Sequence, residues 1–391
     1  MESSAIKRNI RDLDFTLIAV MACISILSCV AVYTATFGKS SPNIPAHILA
    51  RQLVFEVMSY GVMGVVALID YRSLARFRWW FYGFSLALCV IVLKIHHNVN
   101  GANSWIPLGG LTFEPSEIMK VAVIIWTADY MARMNEREFP DYSFRGLWPI
   151  LLAFIVPFVL IYKEHALGQS LVVLAIMYSM LLVYVKRRHA LAMLAGMAVF
   201  IALVVLAAVV FPDQAIHFLS HQHLLKTYQT QRLISFLNPA YQPLHAGYQV
   251  MEAQIAVGNG GLFGTGLLHG SQTSGGWVPF QWTDFIFSAI AEQLGFVGAS
   301  VLILLFVVML YRMIRVAMTA MDDFGAYLIT GAVGMFAFQI FENIGMNLAM
   351  TPATGFTLPF VSYGGSSLVV DFISIGLVLS VSLRRRTLRF D

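Results

Sequence analysis

The stretch Phe15-Thr16-Leu17-Ile18-Ala19-Val20-Met21-Ala22-Cys23-Ile24-Ser25-Ile26-Leu27-Ser28-Cys29-Val30-Ala31-Val32-Tyr33-Thr34-Ala35-Thr36 carries no charged residue over 22 positions. A helix that crosses a bilayer needs about 20 mostly apolar residues. No small-residue cleavage site follows a short apolar core, so the stretch reads as a first membrane span rather than a removable leader. Comparable runs follow at roughly 52–69, 79–95, 115–132, 147–162, 167–185, 190–211, 285–311, 325–351 and 366–383. The expected fold is all-α. It is a polytopic membrane protein of about ten transmembrane helices, a single unit over 1–391 with a large outer loop, about 212–284, between helices seven and eight. The pair 147–162 and 167–185 depends on a tight break at Lys163–Ala166; without it the count falls to nine.

Composition agrees. Of 391 residues, 58% are apolar and 12% charged, with mean hydropathy +0.74. A soluble domain carries about 25% charged residues. A soluble enzyme, a nucleic-acid binder and a disordered chain are thereby excluded. The cysteines Cys23, Cys29 and Cys89 all lie in apolar runs, form no CxxC pair and read as buried filler.

Basic residues orient the chain, because cytoplasmic loops are enriched in Lys and Arg. With ten spans and an inside N-terminus, 18 of the 25 Lys and Arg fall on inside segments: Lys7, Arg8, Arg11, Arg72, Arg76, Arg78, Arg133, Arg137, Arg145, Lys186, Arg187, Arg188, Arg312, Arg315, Arg384, Arg385, Arg386 and Arg389. Six, namely Lys39, Arg51, Lys94, Lys163, Lys226 and Arg232, fall outside. Both termini are expected in the cytoplasm.

Three Gly- and Pro-rich loops then lie on the outer side: 96–114, the long 212–284 and 352–365. The long loop holds the cluster Val257–Gly266, the aromatics Tyr241, Tyr248, Trp277, Phe280 and Trp282, and a candidate interfacial helix at Gln249–Val257. The inside loops are short and basic, and no GxxxxGK[ST] phosphate loop occurs. Any chemistry belongs to the outer face, away from ATP.

Ionisable residues within spans mark functional hypotheses. They are Glu56, Glu117, Lys120, Asp129, Glu292, Glu342 and Asp371. Glu117 and Lys120 stand three apart, share a helix face and can pair. The pair either orients its helix or forms a polar floor beneath an outer cleft. Asp284 sits among Phe280, Trp282, Phe285 and Phe287, where the long loop enters the eighth span. Aromatic surroundings raise a carboxyl pKa and make it a general-base candidate. An N-cap for that span is the plainer reading of the same residue, and the two are compatible. His217, His221 and His223 lack completing ligands for a metal site and read as ordinary interfacial residues.

Several of these motifs together resemble one family. They are Glu114-Pro115-Ser116-Glu117-Ile118-Met119-Lys120, Gln231–Pro239, Gly260-Gly261-Leu262-Phe263-Gly264, Thr283-Asp284-Phe285-Ile286-Phe287, Asn343-Ile344-Gly345-Met346 and Pro352–Ser367. The chain resembles the SEDS proteins (shape, elongation, division and sporulation) from about residue 10 to 385, and its short tails suit the elongation branch. Three positions depart from the family pattern: Ala166 in place of an Asp, Ser104 in place of a basic residue, and Gln293 in place of a Glu.

The resemblance implies a peptidoglycan glycosyltransferase. It would polymerise lipid II into β-1,4 glycan strands at the outer face of the bacterial cytoplasmic membrane, alongside a class B penicillin-binding protein. It implies Asp284 as base. Glu117, Lys120, Arg232, Ser362, Gly364 and Gly365 would bind substrate, with Lys120, Arg232 or a divalent cation (Mg or Mn) meeting the pyrophosphate. A lipid II flippase, or a scaffold without activity of its own, is the rival reading.

Overall fold

Asp14 opens the first helix. Its Oδ1 accepts a hydrogen bond from Leu17 N at 3.0 Å, and its carboxylate is bound by Arg312 at 2.7 Å. One side chain thus caps a helix end and ties it to a distant helix. The structure is a computed structural model that describes residues 13–37, 47–95, 104–108, 111–137, 144–164, 166–210, 230, 232–233, 235–236 and 246–385. Outside the described residues lie the histidines His217, His221 and His223, the segment Gly101-Ala102-Asn103, and the basic residues Lys7, Arg8, Arg11, Lys39, Lys226, Arg386 and Arg389.

The helices are α1 Phe15–Thr36, α2 Ile48–Leu68, α3 Tyr71–Arg76, α4 Arg78–Ile95, α5 Pro115–Asn135, α6 Phe144–Lys163, α7 Leu167–Tyr184, α8 Arg187–Val210, α9 Ala246–Asn259, α10 Ser271–Gly275, α11 Ile286–Met318, α12 Asp323–Asn347 and α13 Gly365–Ser382. The break at Lys163–Ala166 is real: α6 ends at Lys163 and α7 begins at Leu167. A short antiparallel hairpin, β1 Ile106–Leu108 with β2 Leu111–Phe113, stands where the sequence reading had only a loop.

Nine of the described helices are long and apolar enough to cross a membrane. The remaining expected span, α5, has the length, 21 residues, but is too polar to qualify by composition. Its environment explains this. Pro115 stands at the first turn, where its missing N–H costs nothing. Nearly every residue from Pro115 to Met134 is covered by α4, α6, α7, α12 and α13. A helix enclosed by protein meets no lipid, so it can hold Glu117, Lys120 and Asp129. Toward the opposite end of α5, Asp129 accepts from Arg133 at 2.8 Å and also pairs with Arg78.

Lipid gives helices no hydrophobic reason to associate, so close backbone approach and hydrogen bonds must do it. Gly376 of α13 does the first: a side chain there would stand 2.8 Å from the Met63 carbonyl oxygen of α2. Ser28 does the second, donating to the Val361 carbonyl at 2.8 Å. The periphery shows large apolar side chains outward, such as Val54, Val57, Trp80, Phe84 and Leu304, as an acyl environment requires. Cys23 is exposed on this surface and Cys89 is buried, so only the latter is the core filler expected. Near the entry of α11, Gly295 at φ 67° breaks the helix. Phe296 N and Val297 N donate instead to the carbonyls of Gly261 and Leu262, at 2.9 and 3.1 Å. The glycine cluster of the long loop is docked there.

Candidate active site

The junction leading into α11 is held carbonyl by carbonyl. Tyr363 N donates to the Trp282 carbonyl at 2.9 Å, and Ser362 Oγ to that of Thr283 at 2.6 Å. Asn343 Nδ2 and Asn347 Nδ2 both donate to the Asp284 carbonyl, at 2.8 and 3.2 Å. Asn343 Nδ2 also reaches the Phe356 carbonyl at 2.6 Å, which locks the 352–365 loop to the same point. Three consecutive residues are thus fixed by the end of α12 and the loop after it.

This arrangement revises one expectation. Asp284 does not cap the helix: Phe285 occupies the cap position and makes no side-chain cap hydrogen bond. The free N–H of Ser288 is taken by Asn347 Oδ1 of α12 at 3.1 Å. A neighbouring helix supplies the cap, and the Asp284 carboxylate is left for other work. Asn343 and Asn347, four apart and fully buried, are site-building residues to which the sequence reading gave no role. Two Asn on one face of an apolar span were the available signal.

Burial pushes the Asp284 carboxyl pKa up; the Arg232 charge and the Thr283 hydroxyl pull it back. Arg232 Nη1 donates to the Ala353 carbonyl at 2.8 Å, so the guanidinium lies over the same loop. Phe280, Ala349 and Phe360 all hold positive φ, at 53°, 53° and 63°. Such strain in non-glycine residues persists only where surrounding structure over-determines it. Here all three occupy the segments that converge on Asp284.

A second buried polar group, an acidic cluster, is built on α5. Lys120 Nζ is 2.8 Å from Glu117 Oε2, with both side chains essentially unexposed. Gln169 Nε2 donates to Glu117 Oε1 at 2.7 Å. Glu114 and Asp371 lie within electrostatic reach of both Glu117 and Lys120. Glu164, fully buried, closes the group on the α6–α7 break; both of its carboxylate oxygens lack hydrogen-bond partners among the described residues. Burial first, and the Glu114 charge second, push its pKa up to about 8. An acid whose folded pKa is raised loses stability as pH climbs from its ordinary value, about 4.3, toward the folded one. Glu164→Gln is therefore expected to raise the melting temperature by an amount that grows between pH 5 and 8 and then levels off. A pH-independent difference, read by thermal unfolding in detergent, would contradict the burial of this charge.

The other expected site residues are placed as follows. Ser362 is buried, accepts from Leu358 N at 2.8 Å and clamps Thr283. Gly364 precedes α13 in extended conformation. Gly365 faces the Phe55 ring, which a side chain would strike at 2.8 Å. Glu292 is spent on structure, its oxygens taking Gln272 N at 2.8 Å and Thr273 N at 2.7 Å. Among the described residues no three His, Cys, Asp or Glu side chains gather as a metal site. They do not by themselves fit a bound divalent cation, and no step below passes through one.

The family model described as "Cell cycle protein", covering FtsW, RodA and SpoVE, matches residues 14–387. The chain belongs to this family. It is 33% identical to a probable peptidoglycan glycosyltransferase FtsW of Nitrosomonas europaea, over 97% of this chain and 95% of that protein. It is equally identical, 33%, to the peptidoglycan glycosyltransferase MrdB of Escherichia coli, over 93% of each. A solved structure described as the coordination of polymerization and crosslinking by a peptidoglycan synthase complex contains a chain similar at TM-score 0.74. That chain shares 28% identity, with 95% of this chain and 97% of that one covered. The SEDS resemblance of the sequence and the predominantly helical membrane fold thus agree with its relatives.

Proposed function

We propose that this membrane protein is an inverting peptidoglycan glycosyltransferase that joins lipid II units into β-1,4 glycan strands. The observation that carries the reading is Asp284. It is a rigidly seated carboxylate whose backbone is held on three consecutive carbonyls and whose side chain is not consumed by the helix it precedes. The acceptor GlcNAc 4-hydroxyl attacks C1 of the donor MurNAc as Asp284 takes its proton. Undecaprenyl pyrophosphate leaves, and the α-linked donor becomes a β link. Positive charge near the departing pyrophosphate lowers the barrier by stabilising charge as it develops. We assign that charge to Lys120, the buried cation paired with Glu117 on α5. Ser362, Gly364 and Gly365 shape the wall. The relatives' names as glycosyltransferases support the chemistry.

The experiment is glycan chain formation from lipid II by the purified protein. Polymer on a gel is expected. Transbilayer movement of lipid II in vesicles without polymer would favour the flippase instead. The partner is a class B penicillin-binding protein, a reading supported by the synthase complex that holds the similar chain. For the elongation branch, depletion in the source bacterium is expected to give rounded cells; filaments would point to division.

The site faces outward across the cytoplasmic membrane, with both termini inside. Ser274 and Arg188 are exposed at opposite ends of this topology. In a background with its three cysteines replaced by alanine, Ser274→Cys should react with an impermeant thiol reagent on cells with a permeable outer envelope. Arg188→Cys should react only after lysis. The reverse pattern would overturn the orientation.

A further inference from the structure

We infer that Arg232 is a positioning residue for the base: its guanidinium faces Asp284 across the space at Gly355 and acts on that carboxylate through its charge, rather than binding the departing pyrophosphate. The inference rests on the reading of Asp284 above. The geometry comes from three segments. Arg232 reaches in from the long outer loop and donates from Nη1 to the Ala353 carbonyl at 2.8 Å. Two residues on, Gly355 stands at φ +82°, a conformation that side chains rarely adopt. A methyl group placed on Gly355 would be 3.0 Å from Arg232 Nη1 and 3.5 Å from Asp284 Oδ2. Cation and carboxylate therefore border one small space, left open by the missing side chain. Asp284 is fixed there by Asn343 and Asn347.

The chemistry follows. A general base works only while ionised, and an enclosed carboxylate resists ionisation. The charge of Arg232 opposes that resistance. Among the described residues, the groups acting on Asp284 are Arg232 from the loop and Thr283 from its own segment. On α12, Glu342 lies behind the 351–356 turn with its Oε1 taken by Thr354 at 2.9 Å. The guanidinium is tethered to the Ala353 carbonyl and faces Asp284 across the space at Gly355, which holds its charge at the base rather than at the departing pyrophosphate.

The test uses the full chain with its penicillin-binding partner and lipid II, and measures kcat/KM against pH. Arg232→Gln removes the charge, so Asp284 ionises at higher pH and the acid limb of the profile moves upward. A shift of about one pH unit corresponds to a tenfold loss below the limb, recovered at high pH. Arg232→Lys is expected to restore part of the shift. An unmoved limb, whether with a raised KM for lipid II or with a loss equal at every pH, overturns the proposal.

A second measurement does not need activity. The fall in melting temperature caused by Arg232→Gln should shrink when Asp284→Asn is already present, because the charge partner is gone. Additive effects of the two substitutions would refute the coupling of the two charges. A wild-type protein that makes no glycan would sink the functional reading alone, since the stability cycle stands apart from it.

Discussion

Asp284→Asn is expected to leave the protein folded and to lower lipid II polymerisation by roughly a hundredfold or more, the range for losing a general base. The stability half of this expectation comes from the backbone. What seats the residue is its carbonyl, held by Asn343 and Asn347, and its neighbours' carbonyls, held by Ser362 and Tyr363. None of these bonds touches the carboxylate. The carboxylate also caps nothing, since Ser288 N is served by Asn347. Asn keeps the size and one acceptor oxygen but cannot take a proton. It also removes an enclosed charge, but one that Arg232 offsets, so the melting temperature should stay close to that of the unsubstituted protein. Glycan length and rate from purified protein, beside a thermal unfolding curve, check both halves. A folded variant that polymerises at the wild-type rate removes Asp284 from the mechanism.

The sequence made the spans legible because 20-residue apolar runs have few other uses. It also made Asp284 stand out as a candidate, an acid wedged among aromatics. Its surroundings were not legible. Asn347 reaches Ser288 across 59 residues, and Ser362 reaches Thr283 across 79. Periodicity describes one helix at a time and carries no information about such cross-chain bonds. The N-cap reading of Asp284 failed for that reason: local propensity favoured Asp, but a neighbouring helix had already filled the position. Glu164 was missed for another. It sits in a four-residue break that reads as a loop, where a carboxylate is unremarked. Only the packing of α5, α6 and α7 makes it a buried acid beside Glu114. Conversely α5 was legible as a span although its composition is poor, because Glu117, Lys120 and Asp129 interrupt an otherwise apolar run of spanning length.

Lys120→Ala is expected to be the most damaging single substitution in the α5 cluster, and worse than Glu117→Gln. The asymmetry is one of counting charges. Lys120 is paired directly to Glu117 at 2.8 Å and lies within reach of Glu114 and Asp371. Removing Glu117's charge leaves the ammonium with two acids still near it. Removing the ammonium leaves three acids with no cation among the described groups of the cluster, and Glu164 adjoining them. Breaking a buried ion pair from one side costs about 3–5 kcal/mol, and the unfavourable proximity of the remaining carboxylates adds to it. Polymerisation should fall together with the melting temperature for Lys120→Ala. Lowering the pH should recover part of the stability, because protonation of the carboxylates replaces the lost positive charge. Thermal unfolding of both variants between pH 5 and 8 decides the matter. Equal destabilisation by the two substitutions would mean that Lys120 serves Glu117 alone. Full activity in Lys120→Ala would remove the cluster from the cleft and from the chemistry.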